Sequence, residues 1–241
     1  MTDSPYLPVT AAPHAAHGVF ISFEGGDGCG KTTQSRLLGQ WLGDVLDREV
    51  VLTREPGGTS LGKKIRPLIL HDEDMGPRAE ALLYAADRSH HVQSLVRPAL
   101  ARGAIVVTDR YLDSSLAYQS GGRELTADDI RGLSLWATQG LMPVVTVLLD
   151  ISPAAGAARF TDAPDRLESA GDEFHERTRQ AYLDMAAAEP ERFVTVDAHG
   201  SIEEIAALVR AGVARRLAAI FPELAERLAS RLGGETAPLN S

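Results

Sequence analysis

The sequence predicts an α/β fold, a five-stranded parallel sheet flanked by helices in three layers. Three observations carry that expectation. Apolar runs of strand length alternate with stretches of helical spacing, a glycine-rich loop joins the first run to the first helical stretch, and the runs themselves are nearly continuous in apolar residues. Strand–helix alternation places helices on both sides of a parallel sheet, and unbroken apolar strands suit burial on both faces.

In chain order, residues 1–17 (MTDSPYLPVTAAPHAAH) are rich in Pro, Ala and polar residues without periodicity, and are expected to be a mobile leader. A core domain is expected over residues 18–220. Its strands are Val19–Phe23, Val50–Thr53, Ile105–Thr108, Val145–Leu149 and Phe193–Val196, all but one rich in β-branched residues. Leu37, Leu38, Trp41, Leu42, Val45 and Leu46 recur on one face of a helix that starts at Lys31-Thr32. A second helix covers about Ala79–Leu100, and Ile202, Ile205, Leu208, Val209 and Val213 mark a third. From Phe221 a shorter pattern (Leu224, Leu228, Leu232) leads into GGETAPLNS, so residues 221–241 are expected to be a tail that frays at its end. In such sheets ligands gather at the C-terminal ends of the strands.

Composition narrows the function classes. A chain of 241 residues suits one domain or two small ones, and 44% hydrophobic residues can build a core. The net charge of −9 argues against a protein that coats nucleic acid, though a few aimed arginines could still hold a small anion. The single cysteine, Cys29, excludes an internal disulfide framework and an all-cysteine metal site. No apolar run approaches bilayer length and the N-terminus lacks the pattern of a secretory signal, so no membrane association is expected and cytoplasm is the default.

Gly25-x-x-x-x-Gly30-Lys31-Thr32 matches the phosphate-binding loop pattern, with a strand before it and a helix after it. Its glycines (Gly25, Gly26, Gly28, Gly30) let successive backbone N–H groups converge on phosphate at a helix N-terminus. Lys31 supplies a point charge to the β- and γ-phosphates, and the Thr32 hydroxyl is placed to ligate Mg2+. ATP is the expected ligand, with Asp27, Cys29 and Thr33 completing the loop; Cys29 is read as a small filler without a chemical role. The bland alternative is a glycine-rich turn that matches by chance. The loop by itself does not separate kinases from GTPases, motor ATPases or partitioning ATPases.

The acceptor side opens with Thr108-Asp109-Arg110-Tyr111, where Asp109 and Arg110 fall at a strand's ligand-facing end. An arginine there suits two phosphates that must meet; a structural Asp–Arg pair is the alternative. Tyr84 and Arg88, four residues apart on one helical face, could stack a base and grip a phosphate. By itself the pair is a weak signal, and a half-buried tyrosine over a surface arginine is its commoner explanation.

Several motifs in order then make the chain recognisable: FEGGDGCGKTTQ, TREPGGTSLGKKIR, AEALLYAADRSHHV, VVTDRYLDSSLAYQSGGR and DRLES…FHERTRQAYL. On these, over roughly Gly18–Leu217, it resembles bacterial thymidylate kinases. The resemblance implies the P-loop nucleoside monophosphate kinase fold, a homodimer, and the reaction ATP + dTMP → ADP + dTDP with Mg2+. By the same resemblance Glu55 and Pro56 shape the substrate loop, often across a cis bond, and Arg66, Arg88 and Arg110 hold the dTMP phosphate. Tyr84 stacks on thymine, Ser115 and Gln119 meet the base edge, and Tyr118 sits against the deoxyribose. Asp27 organises the phosphates and the metal, for which Thr32 and Asp109 (directly or through water) are the expected ligands.

The attacking group would be a phosphate oxygen, already anionic at neutral pH, so the chemistry needs alignment and charge neutralisation rather than a general base. The seven histidines are therefore expected to be non-catalytic, His90 and His91 included. Family members lacking an arginine in the phosphate loop usually carry it in a lid, here about residues 159–168. This lid is sparse: Arg159 and Arg166, with acids at Asp162 and Asp165. Arg166 is the expected transition-state arginine, beside Lys31, Arg110 and Asp27, while Arg159 serves ATP or merely ends a helix. The rival readings are a kinase for another nucleotide, a nucleotide-dependent switch ATPase that needs no acceptor, and a pseudo-enzyme.

Overall fold

The computed structural model describes residues 18–71, 75–119, 125–159 and 171–232. The expected leader, nearly all of the expected lid and the end of the expected tail fall outside them. Five strands, β1 (Val19–Glu24), β2 (Val50–Arg54), β3 (Ile105–Asp109), β4 (Val145–Asp150) and β5 (Phe193–Asp197), form one parallel sheet in the order β2-β3-β1-β4-β5. The Glu55–Pro56 peptide bond after β2 is cis.

Each strand runs one residue past its apolar stretch, and the added residue is charged every time: Glu24, Arg54, Asp109, Asp150 and Asp197. An apolar pattern stops at the first charge, whereas a backbone ladder continues wherever its neighbour supplies partners. The result is a row of charges along the edge of the sheet where ligands bind. The expectation of burial on both faces holds for β1, β3 and β4 and not for the outer strands, where Leu52 of β2 is 47% exposed. A strand at a sheet edge has one side without a neighbour, so its outer positions meet solvent.

Around the sheet lie α1 (Lys31–Leu46), α2 (Gly62–His71), α3 (Pro77–His91), α4 (Arg97–Ala101), α5 (Leu112–Gln119), α6 (Ala127–Thr138), α7 (Pro153–Ala157), α8 (Asp172–Ala188), α9 (Ile202–Ile220) and α10 (Ala225–Leu232). The alternation of β1 assigns its two faces. Val19, Ile21 and Phe23 join a cluster with Leu38, Leu42, Val209, Val213 and Leu228 from α1, α9 and α10. Phe20 points the other way, to a cluster with Val96, Tyr111, Leu112 and Leu116. Ser22 and Glu24 follow Phe20 by that same period of two.

Three helical expectations change in detail. The single helix expected over 79–100 is α3 and α4 joined by a π-helical turn, Val92–Val96, in which the Arg97 N–H reaches back to the Val92 carbonyl. Pro98 follows and has no N–H to continue the ordinary ladder, which accounts for the widened turn. In α9 the buried stripe is Ile205, Ala206, Val209, Val213, Ala214 and Leu217, whereas Ile202 and Leu208 are each 53% exposed. The segment past Phe221 forms a short 3-10 turn and α10, which packs on α1 and α9 with Leu228 buried.

Candidate active site

Two depressions meet at the C-terminal edge of the central strands. The larger, an open groove of about 770 Å3, follows the phosphate loop between β1 and α1. No side chain caps α1: its preceding residue Gly30 takes a left-handed backbone (φ 91°), so the first N–H groups of the helix are left for an anion. The loop itself is held by backbone packing. A Cβ added at Gly28, whose φ is +74°, would lie 2.2 Å from the Gly156 carbonyl oxygen of α7. Lys31 is buried and folds back, its Nζ donating to the carbonyls of Gly26 (2.7 Å) and Gly25 (3.1 Å) and lying 3.5 Å from the Cys29 Sγ. The Thr32 hydroxyl donates to Asp109 Oδ2 at 2.6 Å. At the far end the groove is lined by Gly200, Ser201, Ile202 and Ile205, which explains what the exposed Ile202 faces.

The expected loop residues Asp27, Gly28, Cys29, Gly30, Lys31, Thr32 and Thr33 all line this groove, as does Arg159. Gly25 and Gly26 do not; their carbonyls serve Lys31 instead. Arg159 does more than end a helix, donating to the carbonyls of Ala198 (2.9 Å) and Gly28 (3.4 Å). Arg166 lies outside the described residues.

The second depression is an inner cavity of about 100 Å3, and all eight residues expected to contact the acceptor line it: Glu55, Arg66, Tyr84, Arg88, Arg110, Ser115, Tyr118 and Gln119. They arrive from α2, α3, α5 and the ends of β2 and β3. Arg88 is not a surface arginine. It is 2% exposed, with Nε to Glu55 (2.7 Å), Nη1 to Ser134 (3.1 Å) and Nη2 to Ser115 (3.0 Å) and the Tyr111 carbonyl (3.1 Å). Glu55, equally buried, also meets His91 Nδ1 at 2.7 Å, and the other nitrogen of that ring meets Thr53 at 2.7 Å. His91 is thus a fully buried bridge in the frame around the loop that follows β2. Gln119 Nε2 donates weakly to Glu80 at 3.5 Å, and its amide oxygen is buried without a partner among the described residues.

Arg110 stands where the two depressions join. Its backbone is left-handed at φ 69°, a strain of roughly 1–3 kcal/mol for a non-glycine residue. The guanidinium pairs closely with Asp27, contacts the Ser114, Tyr118 and Tyr182 hydroxyls, and lies over the Tyr118 ring with its carbon 5.0 Å from the centroid. Burial alone would raise the Asp27 carboxyl. The charges of Arg110 and then Lys31 overcome it and hold the group well below the usual carboxylate range. Tyr118 donates its hydroxyl to Asp27 at 2.8 Å, and burial pushes its own ionisation well above that of an ordinary tyrosine.

Beneath Arg110 sits Glu24, the charged residue that ends β1. It is fully buried and accepts from the Ser114 hydroxyl (2.6 Å), the Tyr111 N–H (2.8 Å) and the Tyr182 hydroxyl (3.1 Å). Burial, and then the nearby Asp113 charge, raise its carboxyl to about 7. Glu24, Ser114, Tyr182 and the groove-lining Arg54 are neighbours of the two depressions to which sequence reasoning gave no role. Glu24 and Arg54 did carry a signal, as charges closing apolar strands; Ser114 and Tyr182 carried none.

This arrangement can bring an anionic acceptor in the inner cavity against a nucleotide phosphate in the groove. Comparisons with known proteins point the same way. A family profile described as thymidylate kinase matches residues 23–209. A thymidylate kinase of Bifidobacterium longum (strain NCC 2705) is 58% identical over 202 residues, 82% of this chain and 98% of that protein. One from Clavibacter michiganensis subsp. michiganensis (strain NCPPB 382) is 61% identical over 197 residues, covering 80% and 93%. One from Synechococcus sp. (strain JA-3-3Ab) is 48% identical over 207 residues, covering 85% and 99%.

Proposed function

We propose a function from one premise: this chain belongs to the thymidylate kinase family. It is a nucleoside monophosphate kinase that phosphorylates dTMP to dTDP, with ATP as the phosphoryl donor and Mg2+ as the accompanying cation. One observation carries the residue-level reading. The inner cavity and the groove share Asp27, Glu55, Arg66 and Arg110, so an acceptor in one and a triphosphate in the other are in reach of the same arginines.

In this reading dTMP enters base first. Tyr84 stacks on thymine, and Ser115 and the Gln119 amide oxygen, which has no partner among the described residues, meet its edge. Arg88 lines the inner cavity and not the groove, which supports a role toward the base end more than between the phosphates. Arg66 and Arg110 hold the monophosphate, with Glu55 shaping the loop, and Tyr118 lies against the sugar. Lys31 and the N–H groups of residues 27–33 hold the ATP phosphates. The monophosphate attacks in line as an anion, and no side chain has to remove a proton.

Thr32 and Asp109 suit Mg2+ as an oxygen pair. Among the described residues no group of three or more His, Cys, Asp or Glu could hold a metal, so its other ligands would be phosphate oxygens and water, as Mg2+ prefers. When bound, the ion neutralises charge on the β- and γ-phosphates. Arg166 supplies the transition-state charge that a loop without arginine lacks. The partner is a second copy: Leu82 on α3 and Trp136 on α6 are 58% and 61% exposed on helices that pack together, and a homodimer would cover them. The working compartment is the cytoplasm; among the described residues no helix is long and apolar enough to cross a membrane.

A coupled ADP-release assay with ATP and Mg2+ tests the whole reading. ADP should appear with dTMP, fall to background without it, and vanish on chelation of Mg2+. Equal ADP release without acceptor would favour a switch ATPase. A ranking of dCMP or thymidine above dTMP would overturn the substrate.

A further inference from the structure

Asp87 belongs to α3, one residue before Arg88, and is 1% exposed. It lines neither depression, so any part it plays in the reaction runs through other residues. Its Oδ1 accepts the Gly57 N–H at 3.2 Å, and that same oxygen is pressed against the first residue of α2: a Cβ added at Gly62 would lie 2.2 Å from it. Its Oδ2 is buried with no hydrogen-bond partner among the described residues. An orphaned buried oxygen is destabilising, a cost that an apolar side chain of the same shape would avoid. What the carboxyl supplies in return is an acceptor for one backbone N–H of the substrate loop.

That N–H lies next to the phosphate-holding apparatus. Arg66 donates from Nη1 to the Pro56 carbonyl at 2.9 Å, and its stem lies on Gly57, where an added Cβ would come 3.1 Å from the Arg66 Cδ. The peptide unit between Pro56 and Gly57 therefore offers its carbonyl to Arg66 and its N–H to Asp87. Tilting that plane moves both contacts together, because the unit is rigid. We propose that Asp87 is a positioning residue that sets Arg66 for the acceptor phosphate by holding this peptide plane. The inference rests on the dTMP reading above and adds a residue to it. Asparagine keeps the outline of the Asp87 side chain and one acceptor oxygen for the Gly57 N–H, so it separates loss of the acceptor from loss of the side chain.

The test uses the full chain with Asp87→Leu, which matches the shape and has no acceptor, and Asp87→Asn, which keeps one. Asp87→Leu should raise KM for dTMP about tenfold, the size of one lost charge-assisted hydrogen bond, with a much smaller change in kcat. Thymidine, which lacks the phosphate, should bind within about twofold of its affinity for the unaltered chain. Asp87→Asn should recover most of the loss, and adding Asp87→Leu to Arg66→Ala should cost little more than Arg66→Ala alone. Asp87→Ala repeats the comparison should the leucine variant not fold. Equal weakening of thymidine and dTMP, or losses from Asp87 and Arg66 that multiply in full, would overturn the inference. If the unaltered chain binds dTMP no better than thymidine, the dTMP reading falls and this inference with it. If it prefers dTMP and Asp87→Leu leaves that preference intact, this inference alone falls.

Discussion

In the proposed function the groove is the donor site and the inner cavity the acceptor site, and the two face the same phosphate chemistry with different materials. The groove takes nearly half of its lining from one contiguous stretch, residues 27–34, which carries Lys31 and the Thr32 hydroxyl on a glycine-rich backbone, and the rest from strand ends, Arg159 and the start of α9. The cavity draws on α2, α3, α5 and two strand ends, and its arginines are held by Glu55, Asp27, Ser115 and Tyr118. A local backbone device can lose a side chain and keep its shape. A network of buried charges cannot, because each member is the solvation of another.

That difference predicts how substitutions separate stability from turnover. The largest effect is expected at Arg88→Ala, which strands the buried Glu55: about 3–5 kcal/mol of folding stability should be lost in chemical denaturation, with activity falling alongside. Next, Lys31→Ala should lower kcat/KM about 1,000-fold in the coupled assay while its denaturation midpoint moves less than that of Arg88→Ala, since it leaves the neutral carbonyls of Gly25 and Gly26 without a donor rather than a buried charge. A destabilisation of Lys31→Ala equal to that of Arg88→Ala would break the comparison. A smaller effect is expected of Arg166→Ala: turnover drops far more than dTMP affinity, because a transition-state contact is worth little in the ground state. Lost dTMP affinity with turnover preserved would remove Arg166 from that role.

The smallest effect is one of pH. The folded carboxyl of Glu24 is raised to about 7, above the 4.5 of an ordinary glutamate. The folded state therefore binds the extra proton, and the stability that Glu24 contributes is present below pH 4.5 and lost as pH rises through 7. Glu24→Gln should accordingly become more stable relative to the unaltered chain on going from pH 5 to pH 8, measured as denaturation midpoints. No change in the difference between those two pH values would show that Glu24 does not titrate there. Asp27 works in the opposite sense: its lowered carboxyl adds stability at neutral pH that is lost only in strong acid.

The donor side was legible because its information is local. Strand, glycines, Lys31 and Thr32 sit within one short stretch, and the five-stranded parallel sheet followed from apolar periodicity. The strand ends were read one residue short, since Glu24, Arg54, Asp109, Asp150 and Asp197 look like loop residues until the ladder is seen. On the acceptor side the residue identities came from resemblance to a family. Spacing alone had left Tyr84 and Arg88 as a tyrosine over a surface arginine, and no pattern announces that Arg88 is buried among Glu55, Ser115 and Ser134. The exposed Ile202 and Leu208 looked like core for the related reason that a one-dimensional period does not say which flank of a stripe is covered.

By itself, then, the sequence determined the fold class, the phosphate loop and the residue types that a phosphate acceptor needs. Those are properties of near neighbours along the chain, decided by sterics and side-chain period. It takes the folded chain to show that the inner cavity meets the groove at Asp27, Glu55, Arg66 and Arg110, that Arg88 is fully buried, and that Glu24 underlies Arg110. Those facts depend on which distant segments the crossovers bring to one edge of the sheet, and on the low dielectric produced there by packing them together.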